Sequence, residues 1–161
     1  MAVDYFLQID GIKGEAGDSK HAGEIEIDSF SWGVSNAGTH SSGSGGGAGK
    51  ASFQDIHFTA KVNKASPQLM QACAQGTHIG KATLTVRKQG GDQQEYYTVI
   101  LTDVLISSYQ AGGHDGANSV PTDSFSLNFT KVCFDYKPQK KDGSLDAPQH
   151  GGWDLKTNAK A

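Results

Sequence analysis

Three groups of residues in this chain have the types and spacing that chemistry requires. The first is Ser42-Gly43-Ser44-Gly45-Gly46-Gly47-Ala48-Gly49-Lys50, five glycines in nine residues closed by a lysine. That is the composition of a loop that wraps phosphate. A P-loop needs Gly, four residues, then Gly-Lys-Ser or Gly-Lys-Thr, leading into a helix whose first amides hold the anion. Here the leading glycine would fall at Ser44 and the magnesium-binding hydroxyl at Ala51. The residues after Lys50 alternate like a strand, not a helix. Gly43-x-Gly45-x-x-Ala48 matches the letters of the dinucleotide fingerprint and lacks the same helix. No phosphate site is expected, and no cofactor.

The second group is six histidines, at 21, 40, 57, 78, 114 and 150. They fall almost entirely between the patterned segments, with no His-x-x-x-His pair, so no metal site is assigned. Cys73 and Cys133 lack metal-ligand spacing and read as two small buried hydrophobes, with a disulfide between them left open. The third group is Glu24 and Glu26, two apart on one strand face, where like charges mean a solvated surface more often than an acid–base pair. No serine sits in a Gly-x-Ser-x-Gly elbow. No catalytic residue is assigned.

The elements that hold these residues are mostly strands. Gly, Ser, Thr, Asn and Asp separate short apolar runs, which favours an all-β chain with many turns. Tyr5, Leu7 and Ile9 alternate as an opening strand. Ile25 and Ile27 share one face, as do Phe30 and Trp32, but the two pairs are one residue out of phase. An extra residue near Asp28-Ser29 restores the phase, the mark of a β-bulge, and puts Glu24, Glu26 and Ser31 on a common polar face. After the glycine loop, Ile56, Phe58, Ala60 and Val62 alternate with His57, Thr59 and Lys61 as a strand with one wet face.

Residues 66–76 form the one convincing helix, with Ser66 as cap, Pro67 in the first turn, Gly76 at the end and a stripe of Leu69, Ala72 and Cys73. Further strands follow at 82–88, 97–109 and 124–136, the last with another phase slip before Val132. A short strand over 152–156 closes the chain. Seven or eight strands, two bulges and one helix describe a small closed or partly open β-barrel, or two packed sheets.

Bulk properties narrow the function. At 161 residues, residues 1–161 make a single domain, and a net charge of −3 with scattered lysines gives no field for nucleic acid. No run approaches a membrane span. The opening MAVDYFLQID has no charged leader and no long apolar stretch, so a Sec signal is not expected and the chain is expected to start in the cytoplasm. From the residues alone the reading is a β-domain with long glycine loops, suited to binding or assembly.

Ten segments, taken in order, resemble a known family. They are Met1-Ala2-Val3-Asp4, Ile12-Lys13-Gly14-Glu15, Ser31-Trp32-Gly33, Gly45-Gly46-Gly47-Ala48-Gly49-Lys50, Ser66-Pro67-x-Leu69-Met70-x-Ala72-Cys73, Leu84-Thr85-Val86-Arg87-Lys88 with Gly90-Gly91, Val104-Leu105-Ile106-Ser107-Ser108, Leu127-Asn128-Phe129, Asp135-Tyr136-x-Pro138-Gln139-Lys140 and Gly152-Trp153. The whole chain resembles the haemolysin-coregulated proteins, Hcp, tube subunits of bacterial type VI secretion, whose fold is similar to that of phage tail-tube proteins.

The resemblance implies a homohexameric ring, stacked into a tube inside a contractile sheath on a baseplate, capped by a spike and expelled without a cleaved signal. It also implies small effector proteins carried and protected in the ring's lumen. On this reading Ser31, Ser29, Glu26 and Glu24 face the lumen and its cargo, with Ser31 as a plain pleat-filler the alternative. Gly43, Ser44, Gly45, Gly46, Gly47, Ala48, Gly49 and Lys50 become a ring-stacking arm. Two other readings stay open, a phage-type ring protein outside type VI secretion and an adapted enzyme or specialised effector. The 25 residues after Tyr136 are too few for an added catalytic domain.

Overall fold

A computed structural model describes residues 2–37, 50–117 and 119–161. Among them are twelve strands and one helix. Sheet A runs β12 (Ala159–Lys160), β11 (Gln149–Asp154), β10 (Lys131–Tyr136), β8 (Glu95–Gly112), β7 (Ile79–Lys88), β1 (Val3–Ile9) and β2 (Ile25–Ile27). Sheet B runs β3 (Ser29–Ser31), β6 (Ile56–Lys61), β9 (Thr122–Asn128) and the C-terminal half of β8. Strands β4 (Val34–Asn36) and β5 (Ala51–Phe53) pair only with each other.

The sheets pack face to face over Leu7, Ile25, Phe58, Leu84, Leu101 and Phe125, all nearly inaccessible to solvent. They share β8 on one side. On the other side the chain passes directly from β2 to β3, with no ladder between β2 and β6. The molecule is thus two packed sheets rather than a closed hydrogen-bonded barrel.

The phase slips at 24–33 and 124–136 have a different cause from the bulges expected of them. Strand β2 belongs to sheet A and β3 to sheet B, with exposed Asp28 between them and its amide bonded to the Thr59 carbonyl at 2.8 Å. Likewise β9 lies in sheet B and β10 in sheet A, with Phe129 and Thr130 between. A strand that changes sheets must re-aim its apolar face at the same core, and one or two extra residues do that.

The register breaks fall elsewhere, between Val86 and Arg87 and between Ile106 and Ser108. Strand β8 itself changes sheets near Asp103, which takes a left-handed φ of 53°. Its carboxylate accepts bonds from Thr130 Oγ1 at 3.2 Å and Lys156 Nζ at 3.4 Å, which locally support that conformation and hold it below the usual carboxylate range.

Helix α1 (Ser66–Gln75) packs Leu69 and Ala72 inward and ends at Gly76 with φ 64°. Its N-cap is Ala65, not Ser66. The Ser66 hydroxyl instead donates to Asp123, a carboxylate buried under sheet B that needs donors more than the helix end does. Asn63 Oδ1 and Glu15 Oε1 take the preceding amides of Ala65 and Lys64, each at 2.8 Å. Cys73 and Cys133 are free thiols, half-buried rather than fully buried as expected.

Candidate functional site

Alternation along β3, β6 and β9 divides sheet B into two unlike faces. Phe30, Phe58 and Phe125 are register partners on the core side, the last two stacked at 5.4 Å. The residues between them lie on the other side, where Ser29, Ser31, His57 and Gln110 are exposed, Thr59, Ser124 and Ser108 half-buried, and Ser126 buried. Register then aligns Ser31, His57, Ser126 and Ser108 in one row and Ser29, Thr59, Ser124 and Gln110 in the next. Neither row holds a carboxylate or an ammonium.

The hydroxyls pair across strands, Ser29 with Thr59 and Ser108 with Ser126, both at 2.5 Å. At the register break the extra residue is Ser107. Its hydroxyl lies 2.8 Å from Ser126 and donates to Asp55 at 2.6 Å. Beneath the face, Tyr109 donates to Asp123 at 2.6 Å; burial and that carboxylate push the phenol up to about 12. It stays a neutral donor and the buried carboxylate stays satisfied.

The lumen-facing candidates are thereby separated. Ser29 and Ser31 lie exposed on the outer face of sheet B. Glu26 is exposed on β2, in sheet A, near the corner where Lys61 Nζ meets Asp28 at 3.2 Å. Glu24 is drawn away from them: its carboxylate lies 2.8 Å from the His21 ring and is half-buried. Of the arm residues, Lys50 is described and exposed just before β5, and residues 43–49 lie outside the described residues.

His57, Thr59, Ser124, Ser126, Ser108 and Gln110 join the face through register alone. The wet side of 56–62 is visible in the sequence, but its alignment with 108–110 and 124–126 is not.

A second surface feature is an open apolar groove of about 600 Å³ beside β4 and β5, walled by Trp32, Val34, Phe53, Phe134 and Trp153. Among the described residues no titratable side chain lines it. Among the described residues no cluster of His, Cys, Asp and Glu has the geometry of a metal site, and no helix is long and apolar enough to cross a membrane. The strand β5 follows the glycine arm where a phosphate-binding loop would need a helix.

Comparison with known proteins gives this face its context. The family model described as "Type VI secretion system effector, Hcp" matches residues 6–136. The chain is 45% identical to Protein hcp1 of Pseudomonas aeruginosa over the full length of both. Its fold superposes on a structure described as a type six secretion system protein with a TM-score of 0.93, at 32% identity, covering 99% of this chain and 100% of the other. Hcp1 from Salmonella typhimurium superposes with a TM-score of 0.81 at 31% identity, over 99% of this chain and 100% of that one. The chain belongs to the Hcp family of type VI secretion proteins.

Proposed function

We propose that this protein is the tube subunit of a type VI secretion apparatus, with the outer face of sheet B turned into the lumen of a six-membered ring. The observation that carries the reading is the pair of aligned rows without carboxylate or ammonium, Ser31-His57-Ser126-Ser108 and Ser29-Thr59-Ser124-Gln110. Such a wall offers donors and acceptors to many cargo surfaces and imposes no charge preference. It holds polar effectors without the tight apolar contact that would hinder release. Small effector proteins are the cargo of this reading, and Ser31, Ser29 and the rim residue Glu26 are the contacts within it.

Sheet B also supplies what a closed ring needs. Among the described residues, β3 and the C-terminal half of β8 each pair on one side only. Two different free edges on one sheet suit a heterologous interface that closes by rotation. Ring stacking falls to the arm at 43–50, and the spike, sheath and baseplate are the further partners. Export of the tube from the cytoplasm through the apparatus needs no cleaved leader.

Native mass spectrometry of the purified protein tests the assembly: a hexamer is expected, and a monomer at high concentration contradicts it. Ser31→Gln tests the wall. Hexamers that no longer retain effector are expected, and unchanged retention overturns the assignment. Bulky replacements at residues 45–47 are expected to spare hexamers and impair tube growth; loss of the hexamer itself would place the arm within the ring.

A further inference from the structure

The outer face of sheet A is covered, and charges hold the cover in place. Phe6, Thr85 and Arg87 point away from the core yet are buried, because segment 10–24 lies over them. The segment is laced to itself and to the start of β2: Gly14 N donates to Gly23 O at 2.8 Å, Ala16 N to Glu24 O at 3.0 Å and Gly23 N to Ala16 O at 3.0 Å.

His21 is the titratable residue of the segment that is buried against the sheet. It is 7% exposed, and its ring stacks on Phe6 with centroids 4.4 Å apart. Nδ1 lies 2.8 Å from Glu24 Oε2, and Nε2 lies 2.7 Å from Glu95 Oε1 on β8.

That geometry carries information about protons. Both partner atoms are carboxylate oxygens, which accept when ionised, and a neutral imidazole has one N–H. Only the imidazolium donates to both. The other charged groups on this face are Asp4 on β1, Arg87 on β7 and Asp18 in the segment, with exposed Glu26 on β2 beside Phe6 at its edge. Arg87 lies 4.9 Å over the Phe6 ring and donates to Asp18 at 2.6 Å and to Asp4 at 3.3 Å.

With His21 charged, the two cations His21 and Arg87 face the four carboxylates of Asp4, Asp18, Glu24 and Glu95. Without its proton, one cation faces four, and one imidazole nitrogen confronts a carboxylate lone pair to lone pair. Both changes weaken the hold on the segment, which then rests on the Arg87–Asp18 pair.

We propose that His21 is a proton-operated latch: as the imidazolium it ties segment 10–24 to sheet A through Glu24 and Glu95, and loss of the proton lets the segment lift and bare Phe6 and Arg87. Burial pushes the imidazole down, but the bonds to Glu24 and Glu95 outweigh it and leave the group above its ordinary value. A histidine raised on folding contributes stability in full below its unfolded pKa, and that contribution is lost as pH rises through the folded pKa. The latch is therefore closed at mildly acid pH and loosens on the alkaline side.

Hydrogen exchange on the purified full chain, between about pH 6 and about pH 9, tests the latch once intrinsic exchange rates are divided out. The amides of Gly14, Ala16 and Gly23 should lose protection as pH rises, by about tenfold for each unit by which the His21 pKa exceeds its ordinary value. The midpoint should follow the His21 ring titration read by NMR.

Glu95→Gln replaces an obligate acceptor with an amide that can also donate to a neutral imidazole. It should lower the His21 pKa and flatten the pH profile, which a merely structural role would leave in place. Protection independent of pH in the wild type, or a wild-type profile in Glu95→Gln, overturns the proposal. Should the variant fail to fold, a wild-type His21 pKa at or below the ordinary value overturns it equally.

Discussion

Sheets A and B both carry a polar outer face, but one keeps Arg87, Phe6 and Thr85 beneath segment 10–24 while the other leaves Ser29, Ser31 and His57 in the open, with Ser108 half-buried and only Ser126 buried among its hydroxyl neighbours. The covered face is rich in charge: Arg87 is held by Asp18 and Asp4, and His21 by Glu24 and Glu95. The Arg87 guanidinium holds the Asp18 carboxyl well below the usual carboxylate range. The bare face has no ion pair within its rows. The difference separates two uses of polar side chains in one fold. Under a cover, charges hold a strap to a sheet; in the open, neutral hydroxyls present a surface to something else.

Substitutions on the two sides of each sheet should sort by this contrast. The largest effect belongs to the shared core: Phe58→Ala should cost about 3–5 kcal/mol of unfolding free energy in denaturant titration, because Phe58 is buried against Phe125. Next comes the covered face. Arg87→Ala leaves Asp18 and Asp4 without their cation beneath the segment, and should lower Tm clearly while exposing residues 11–24 to protease. A Tm equal to wild type would erase the distinction between the faces.

The pH response is smaller and has a sign. His21 should add stability at mildly acid pH and lose it on the alkaline side, so Tm should fall less with rising pH in Glu95→Gln than in wild type. The smallest stability change belongs to the bare face. Ser31→Gln should move unfolding free energy by no more than about 0.5 kcal/mol, as expected of an exposed site, and show its effect only in cargo retention. A large loss of stability there would make Ser31 a structural residue.

How much of this the sequence displays depends on whether the signal is local. Strand and helix positions follow from alternation and end signals, and Gly76 ends α1 as expected because a left-handed residue there suits glycine. The phase slips at 24–33 and 124–136 are visible, yet one strand bulging and one strand changing sheets leave the same mark in a one-dimensional pattern. Ser66 suits a cap by its type; a carboxylate 57 positions away, Asp123, claims its hydroxyl.

The same limit divides the candidate wall. Ser29 and Ser31 can be picked out from their own strand, whereas Ser108, Ser124 and Ser126 join them through pairing across β6, β9 and β8. Glu24 looks like Glu26 by spacing, and only the fold shows that His21 takes one of the two.

The role given to the bare rows turns on the direction in which sheet B faces. Cryo-electron microscopy of the assembled protein reads it directly. Rings of six copies are expected, in which Ser29, Ser31, His57 and Ser108 line the central channel and β3 of one copy lies beside the C-terminal half of β8 of the next. Rings whose channel is lined by the covered face of sheet A, or in which sheet B faces the outside, would contradict it.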